Sequence, residues 1–276
     1  MTEYSSWIGS TDQQDDVITH GLVDRYRAVI GTDRKSDEIP NGLHWCICLP
    51  KAPMDELGED GHPQTGGFLP ASDLPRRMWA ASKVDFLSPI KIGTKIDRLS
   101  KIENVTEKMG RSGKLLFVDV SHVTKADKVE VIRETQTIVY RDAPSEAAKL
   151  PIPIDVSLKN WAATKKVMPT SALLFRYSAL TFNTHRIHYD YRYTTQVEGY
   201  PALVVHGPLM ASLLLDFAGE LADAAFITQF QFRGLSPAFC GQELTLAANI
   251  ESSEIDLAII GVDGIKVMAA KAKIGN

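Results

Sequence analysis

The chain has 276 residues, enough for one large domain or two of modest size. Hydrophobic residues make up 44% and charged residues 23%, the composition of an ordinary packed core, which excludes wholesale disorder. A net charge of -4 excludes a whole-chain nucleic-acid footprint but leaves room for a local basic groove that takes a phosphorylated ligand. Residues 1–16 are polar and acidic and lack the basic and apolar regions of a signal peptide. No run of about 18 apolar residues occurs, so no membrane partner is expected and the cytoplasm is the default location. The three cysteines, Cys46, Cys48 and Cys240, form no disulfide framework and lack zinc spacing, so they read as buried or neutral thiols.

In chain order, residues 18–30 read as a short helix or an extended lead-in, with apolar points at Ile18, Leu22, Val23 and Ala28. Residues 44–49 alternate weakly, as a strand does. Residues 50–67, rich in Pro, Gly and acids, are a loop. Residues 74–83 have helical composition, with Ser72 or Asp73 as cap and Pro75 in the first turn. Residues 84–86, 95–105, 115–124 and 130–140 carry the Val, Ile, Thr and Phe density of strands. Turns separate them at Ser88-Pro89, 110–113 and 125–128. Residues 143–153 read as a linker. A second segment starts near Val167 and is opened by residues 175–181, and a loop with two histidines follows. The spacing then predicts a long helix over about 208–225, with Leu209, Leu213, Leu214, Phe217 and Leu221 as its buried stripe. Strands are predicted again at 226–232, 243–251, 257–262 and 265–272.

One string is duplicated. Leu87-Ser88-Pro89-x-x-x-Gly93 recurs 148 residues later as Leu235-Ser236-Pro237-x-x-x-Gly241, in the same order of elements. The halves, 1–150 and 151–276, therefore read as two copies of a helix-plus-antiparallel-sheet unit, about 40–142 and 167–274. A long helix followed by a run of antiparallel strands is the pattern of a hotdog. The expected fold is α+β, a double hotdog, whose two sheets join into one because an open sheet edge invites aggregation.

Chemistry concentrates in residues 176–191, where His185, His188, Asn183, Arg186, Asp190 and several tyrosines lie between apolar segments that read as strands. Such a cluster is costly to fold unless it is solvated or used. His185 and His188 at i and i+3 match metal-ligand spacing on a helical turn, but only Asp190 stands near as a third ligand, so no metal is expected. Further on, Val204-Val205-His206-Gly207-Pro208 ends an apolar segment and enters the long helix. Pro208 suits its first turn, and the N–H groups there favour developing negative charge, as a thioester oxyanion site would. The alternative is that Gly207 merely allows a tight turn. His206 reads as a packing or hydrogen-bonded neighbour.

From Tyr177 to His188, and at Val205-His206-Gly207, the chain resembles the hydratase-2 (MaoC-like) superfamily, whose motif runs Asp-x-Asn-Pro-(Ile/Leu)-His with a His-Gly entering a helix downstream. The resemblance places the catalytic histidine on His188 and the oxyanion-hole glycine on Gly207. Asn183 stands where the motif has Asp, His185 where it has Asn and Arg186 where it has Pro. Asn183 can orient a water but cannot take a proton. The string from Phe182 to Asp190 is more similar to type-2 hydroxyacyl-thioester dehydratases and to mesaconyl-C4-CoA and itaconyl-CoA hydratases. So are Gly66-Gly67-Phe68-Leu69-Pro70 and Leu74-Pro75-Arg76-Arg77-Met78-Trp79. The likeness covers roughly residues 40–274.

The resemblance implies hydration or dehydration of an enoyl thioester, with itaconyl-CoA or mesaconyl-C4-CoA going to citramalyl-CoA. No cofactor is expected, since CoA is part of the substrate. A single site is expected in the second half, with the first half shaping the acyl and CoA channel and His185 and His206 lining the site. An acyl carboxylate needs a cation, for which Arg76, Arg77, Arg186 and Arg233 are candidates. A homodimer is compatible with the sequence. Rival readings are a dehydratase of fatty-acid synthesis, a hotdog thioesterase, which would want a carboxylate positioned on the long helix where Asp216 and Glu220 sit but further along it, and a non-catalytic acyl-CoA-binding module, which the absence of Asp at position 183 favours.

Overall fold

The computed structural model describes residues 4–33, 36–110, 113–143, 148–223 and 225–275. Strand β1 (Thr11–Val17) leads into helix α1 (His20–Ile30), and after a long irregular stretch come β2 (Arg76–Phe86), β3 (Lys95–Gly110), β4 (Gly113–Ala126) and β5 (Val129–Arg141). The second half runs β6 (Ala163–Val167), α2 (Ser171–Leu180), α3 (Tyr191–Gln196), α4 (Gly207–Leu221), β7 (Ile227–Gly234), β8 (Leu244–Glu251), β9 (Glu254–Ile260) and β10 (Lys266–Ile274). All ten strands form one sheet in the order β1-β3-β4-β5-β2-β7-β10-β9-β8-β6, and every pairing is antiparallel. This is a double hotdog.

The order is a palindrome centred on the β2–β7 pair, so each element has a counterpart across a pseudo-two-fold axis. β1 matches β6, α1 matches α2, and the meander β3-β4-β5 matches β8-β9-β10. Both helices are capped by a threonine, Thr19 accepting from the Leu22 N–H and Thr170 from the Leu173 N–H. The repeated string occupies equivalent places. Ser88-Pro89 follows β2 and Ser236-Pro237 follows β7. Gly93 N–H donates to the Ile18 carbonyl (2.8 Å) and Gly241 N–H to the Pro169 carbonyl (2.9 Å), each the residue just before the helix cap.

The halves differ in the middle. Helix α4 is buried at every residue from 209 to 218 because the sheet lies on one side and α1 on the other. Its apolar surface therefore extends all round rather than along the predicted stripe. Among the described residues the first half has no counterpart of α4. Residues 47–75, apart from a short 3-10 turn, are irregular there.

Two sequence expectations are corrected. Residues 74–83 are not a helix but mostly strand β2, because this strand pairs with both β5 and β7 and that pairing outweighs the helix propensity of Arg, Met and Ala. Residues 44–49 are not a strand. The 3-10 turn Leu43–Cys46 and the residues up to Cys48 are buried without alternation, enclosed on all sides. Residues 175–181, which open the second segment, lie mainly in α2. Strand β1 was not predicted. It is a polar edge strand, and its acidic residues suit an edge that must not pair further. Parts of the predicted turn (111–112) and linker (144–147) lie outside the described residues.

The three cysteines are free, and burial pushes the Cys46 and Cys48 thiols up to about 12 and about 11. No helix among the described residues is long and apolar enough to cross a membrane.

Gly93 and Gly241 have φ of +92° and +81°, with open space where a Cβ would stand. Gly93→Ala and Gly241→Ala should each destabilise the fold through the backbone alone, by about 1 kcal/mol in urea denaturation. No loss at either position would contradict the matched turns.

Candidate active site

The loop that carries the histidines begins where α2 ends. Phe182 adopts a left-handed conformation (φ +48°), and the Asn183 N–H closes back on the Ser178 carbonyl at 2.9 Å, the usual helix-terminating pattern but without its glycine. Backbone strain of this kind is held only where the surroundings enforce it. The Asn183 Oδ1 accepts from the His185 N–H (2.9 Å), so its carbonyl fixes the turn. A 3-10 turn, Arg186–His188, then pairs with the apolar segment before α4, Val204 N–H donating to the Ile187 carbonyl at 2.9 Å.

His188 is buried, and its Nδ1 lies 2.7 Å from the Val204 carbonyl. A carbonyl can only accept, so Nδ1 carries the hydrogen and Nε2 keeps its lone pair. Burial pushes the His188 pKa down to about 3. The ring is therefore a neutral base at ordinary pH. His206 stacks on it at 3.6 Å and 20°, with its Nε2 2.8 Å from Ser178 Oγ. Burial, and then His188, hold His206 well below the usual range. His206 is also the N-cap of α4, so Gly207 is the first helical residue. Its N–H has no intrahelical acceptor, and Pro208 has no N–H to offer. A Cβ on Gly207 would stand 3.6 Å from the Trp79 carbonyl, so β2 runs close past this helix end.

The first half supplies two groups that the sequence reading passed over as loop. His62 lies against His185, ring centroids 4.0 Å apart, and His185 in turn meets His188 edge-on at 5.4 Å. His62 Nδ1 is 2.9 Å from Asp60 Oδ2. The Asp60 carbonyl accepts from the Arg186 N–H (2.8 Å), the Glu59 carbonyl from the Arg186 guanidinium (3.0 Å), and Thr184 Oγ1 donates to the Gly61 carbonyl. Gly61 (φ +85°) permits this approach, since a Cβ there would fall 1.9 Å from the Thr184 carbonyl oxygen. Burial pushes His62 down against the pull of Asp60, and burial followed by the other histidines and Arg77 holds His185 far below its usual range. Burial raises the Asp60 carboxyl, but hydrogen bonds from His62 outweigh it and leave Asp60 below the ordinary value. The only signal in the sequence was an Asp-x-His in a Gly-rich loop, which has no local reason to matter.

The candidate arginines separate. A bulge between Trp79 and Ala81 changes the alternation of β2, so Arg77 and Trp79 share the inner face with Ser82 and Val84. Arg77 donates to the Pro63 carbonyl at 3.2 Å, next to His62, and forms no ion pair with a described carboxylate. Arg76 is paired with Glu198 (2.8 Å) and lies over Tyr200. Arg186 is paired with Asp190 (2.8 Å) and lies over Tyr193. Arg233 is exposed on the sheet face opposite to buried Phe232. The structure thus brings together His188, His185, His206, Gly207 and Arg77, with Asn183 turning the same loop, and leaves Arg233 apart. On α4, Asp216 is buried about 13 Å along the axis from Gly207, and Glu220 is paired with Lys165 at 2.7 Å. Asp60, His62 and His185 place ligand atoms within 4.8 Å of one another, the donor set for a divalent ion. The Arg77 charge beside them opposes a cation.

A neutral imidazole beside the N-terminus of a buried hotdog helix is equipped to move a proton next to a developing thioester oxyanion, the work of a hotdog hydratase or dehydratase. The family model of hydroxyacyl-thioester dehydratase type 2 matches residues 42–240, and the chain belongs to that family, within the MaoC-like superfamily. It is 40% identical, over 99% of both chains, to the mesaconyl-C(4)-CoA hydratase of Chloroflexus aurantiacus. It is 25% identical to the mitochondrial hydroxyacyl-thioester dehydratase type 2 of Schizosaccharomyces pombe, over 84% of this chain and 87% of that one. HtdX of Mycobacterium tuberculosis shares the fold with a TM-score of 0.70 at 18% identity, over 96% of this chain and 100% of that one. The chain is a hydro-lyase of the hydratase/dehydratase type.

Two outcomes follow from this geometry. His44, His122 and His188 are each pushed down to about 3 by burial, whereas an unfolded histidine titrates near ~6.5. The unfolded chain binds more protons between these values, so stability is full above about 6.5 and falls as pH drops toward 3. Thermal melting from pH 8 to 4 should show a midpoint that declines below about 6.5, and a flat profile would contradict buried neutral histidines. Gly61→Ala should part the two loops and cost at least about tenfold in turnover. Unchanged turnover would show that the contact does not position the site.

Proposed function

We propose that the chain hydrates a short unsaturated dicarboxylic acyl-CoA, mesaconyl-C4-CoA, to citramalyl-CoA, with itaconyl-CoA as a second substrate of the same size. The observation that carries the chemistry is His188, neutral, with Nδ1–H held by a carbonyl and Nε2 free to accept. His188 Nε2 takes a proton from water as the water oxygen bonds to C3. The C2–C3 π electrons move onto the thioester carbonyl, giving an enolate that the Gly207 N–H and the helix N-terminus stabilise. The imidazolium then returns its proton to C2. Asn183, its carbonyl engaged in the turn, keeps its amide N–H groups for the water. In this reading residues 151–276 carry the reaction, and residues 1–150 close the channel.

Three observations support the substrate. The most similar curated relative named above is a mesaconyl-C(4)-CoA hydratase. Asn183 puts a neutral amide where the family motif has Asp, and Asp190 further along the loop is paired with Arg186, so neither position presents an unpaired carboxylate to repel a diacid. Trp45, Trp79 and Phe232 interlock on the inner face, ring centroids 5.6–5.8 Å apart, beside the N-terminus of α4, where a long acyl chain would need an open tunnel. For a thioesterase, neither Asp216 nor Glu220 lies at the helix N-terminus.

A substrate panel tests this: mesaconyl-C4-CoA, itaconyl-CoA, crotonyl-CoA and enoyl-CoAs of eight to twelve carbons, assayed for water addition and for CoA release. Water addition should be fastest on the C5 diacids. A preference for long neutral chains would favour the fatty-acid dehydratase, and CoA release would favour the thioesterase. On the best substrate His188→Ala should lower turnover by roughly 100-fold or more. Near-normal turnover would remove His188 from the mechanism.

A further inference from the structure

The buried carboxyl of Glu134, on β5 of the first half, has no part in the proton transfers. Its Oε1 accepts from the Trp45 indole N–H at 2.9 Å and from the Ser82 hydroxyl. Its Oε2 lies 3.7 Å from His44 Nε2, but burial pushes His44 down to about 3, so that imidazole is neutral and makes no ion pair. A buried carboxyl is costly, and its partners show what it holds. Trp45 comes from the 3-10 turn Leu43–Cys46 and meets Trp79 of β2 and Phe232 of β7 edge to face, at 86° and 82°. Ser82 stands opposite Phe232 in the β2–β7 register, so acid, hydroxyl and rings form one patch on the seam between the halves. The Trp79 indole is fixed as well, its N–H donating to the Ala81 carbonyl at 2.9 Å. Neither indole can turn aside without giving up a hydrogen bond.

We propose that Trp45, held by Glu134, is the stop that limits acyl length, and that Glu134 sets this specificity as a positioning residue. This rests on the short-acyl reading above. The oxyanion site fixes where the acyl group starts, because the Gly207 N–H takes the thioester carbonyl. The Trp79 carbonyl lies 3.6 Å from where a Gly207 Cβ would stand, so β2 passes the first carbons of the acyl group. The chain beyond C3 meets the half-buried Trp79 first. Trp45 and Phe232, both buried, stand behind it with ring centroids 5.6 and 5.7 Å away. A longer chain would have to displace Trp45 and so break its bond to Glu134 and its contacts with both rings. Oε1 of Glu134 accepts whether the acid is ionised or carries its proton on Oε2, so the stop does not depend on that charge. Without the indole an apolar cavity would be left between the remaining rings, and such cavities stay dry and take apolar guests.

The experiment measures kcat/KM for water addition to crotonyl-CoA and to trans-2-octenoyl-CoA, in the whole protein and its variants, with mesaconyl-C4-CoA alongside. The readout is the octenoyl-to-crotonyl ratio within each protein, from which the amount of folded enzyme cancels. Trp45→Ala should raise this ratio about tenfold or more. Trp45→Phe, which removes less volume, should raise it in the same direction and is the variant to read if the alanine protein does not fold. Glu134→Leu leaves the indole N–H unheld and should raise the ratio by a smaller factor. Glu134→Gln keeps an accepting oxygen and should keep the ratio of the wild type. An unchanged ratio in the folded Trp45 variant, or equal ratios in the two Glu134 variants, would overturn this proposal and leave the proposed function standing. Wild-type protein that takes octenoyl-CoA in preference to mesaconyl-C4-CoA and crotonyl-CoA would overturn both. Wild-type protein that prefers crotonyl-CoA to mesaconyl-C4-CoA, with the ratios shifting as expected, would overturn the dicarboxylic substrate alone and support the stop.

Discussion

The hydrogen bond from His188 Nδ1 to the Val204 carbonyl governs the site. It fixes the tautomer, aims the lone pair on Nε2, and ties the catalytic loop to the segment that becomes α4. The same segment continues through His206, stacked on His188, to Gly207 at the helix start. The proposed base and the proposed oxyanion donor are thus held by one stretch of backbone, with only Val205 and His206 between Val204 and Gly207. Burial supplies the rest. It removes the charge from the imidazoles, so the site rests as a set of neutral bases able to take a proton at ordinary pH.

That constraint explains the asymmetry of the two halves. Both keep the capped helix, the seam strand and the meander, and their glycine turns close on the same kind of carbonyl. The second half keeps α4, which is buried all round from 209 to 218 and begins at Gly207, the proposed oxyanion position. The first half has irregular chain in its place, and that chain reaches over to the catalytic loop. The bulge in β2 has the same effect from below, bringing Arg77 onto the inner face. One half retains the fold's central helix, and the other, without it, has chain to lend to its neighbour's site.

Much of this was legible in the sequence because the signals were local. The strands of both meanders announced themselves by β-branched density, α4 by its periodicity, and the duplication by Leu-Ser-Pro-x-x-x-Gly. His188 and Gly207 stood out by motif. What was not legible depended on tertiary contacts. Residues 74–83 carry helix formers, but β2 is the strand on which the two halves meet, and pairing on both sides decided its form. Residues 43–48 are enclosed on every side and so show no alternation. Asp60 and His62 acquire meaning only from a loop contact across more than 120 residues, and Gly61 marks that contact only once Thr184 is seen beside it. The four arginines looked alike in sequence. Their partners separate them.

The central claim is that His188 is a neutral base with its hydrogen on Nδ1. Nitrogen-15 NMR of protein labelled at histidine reads this directly, with His188→Gln used to assign the signal. The account predicts a protonated Nδ1 and an unprotonated Nε2 that persist from pH 8 down to about 4, in keeping with a pKa held near about 3. A hydrogen on Nε2, or titration of His188 near the ordinary ~6.5 of an exposed histidine, would contradict it.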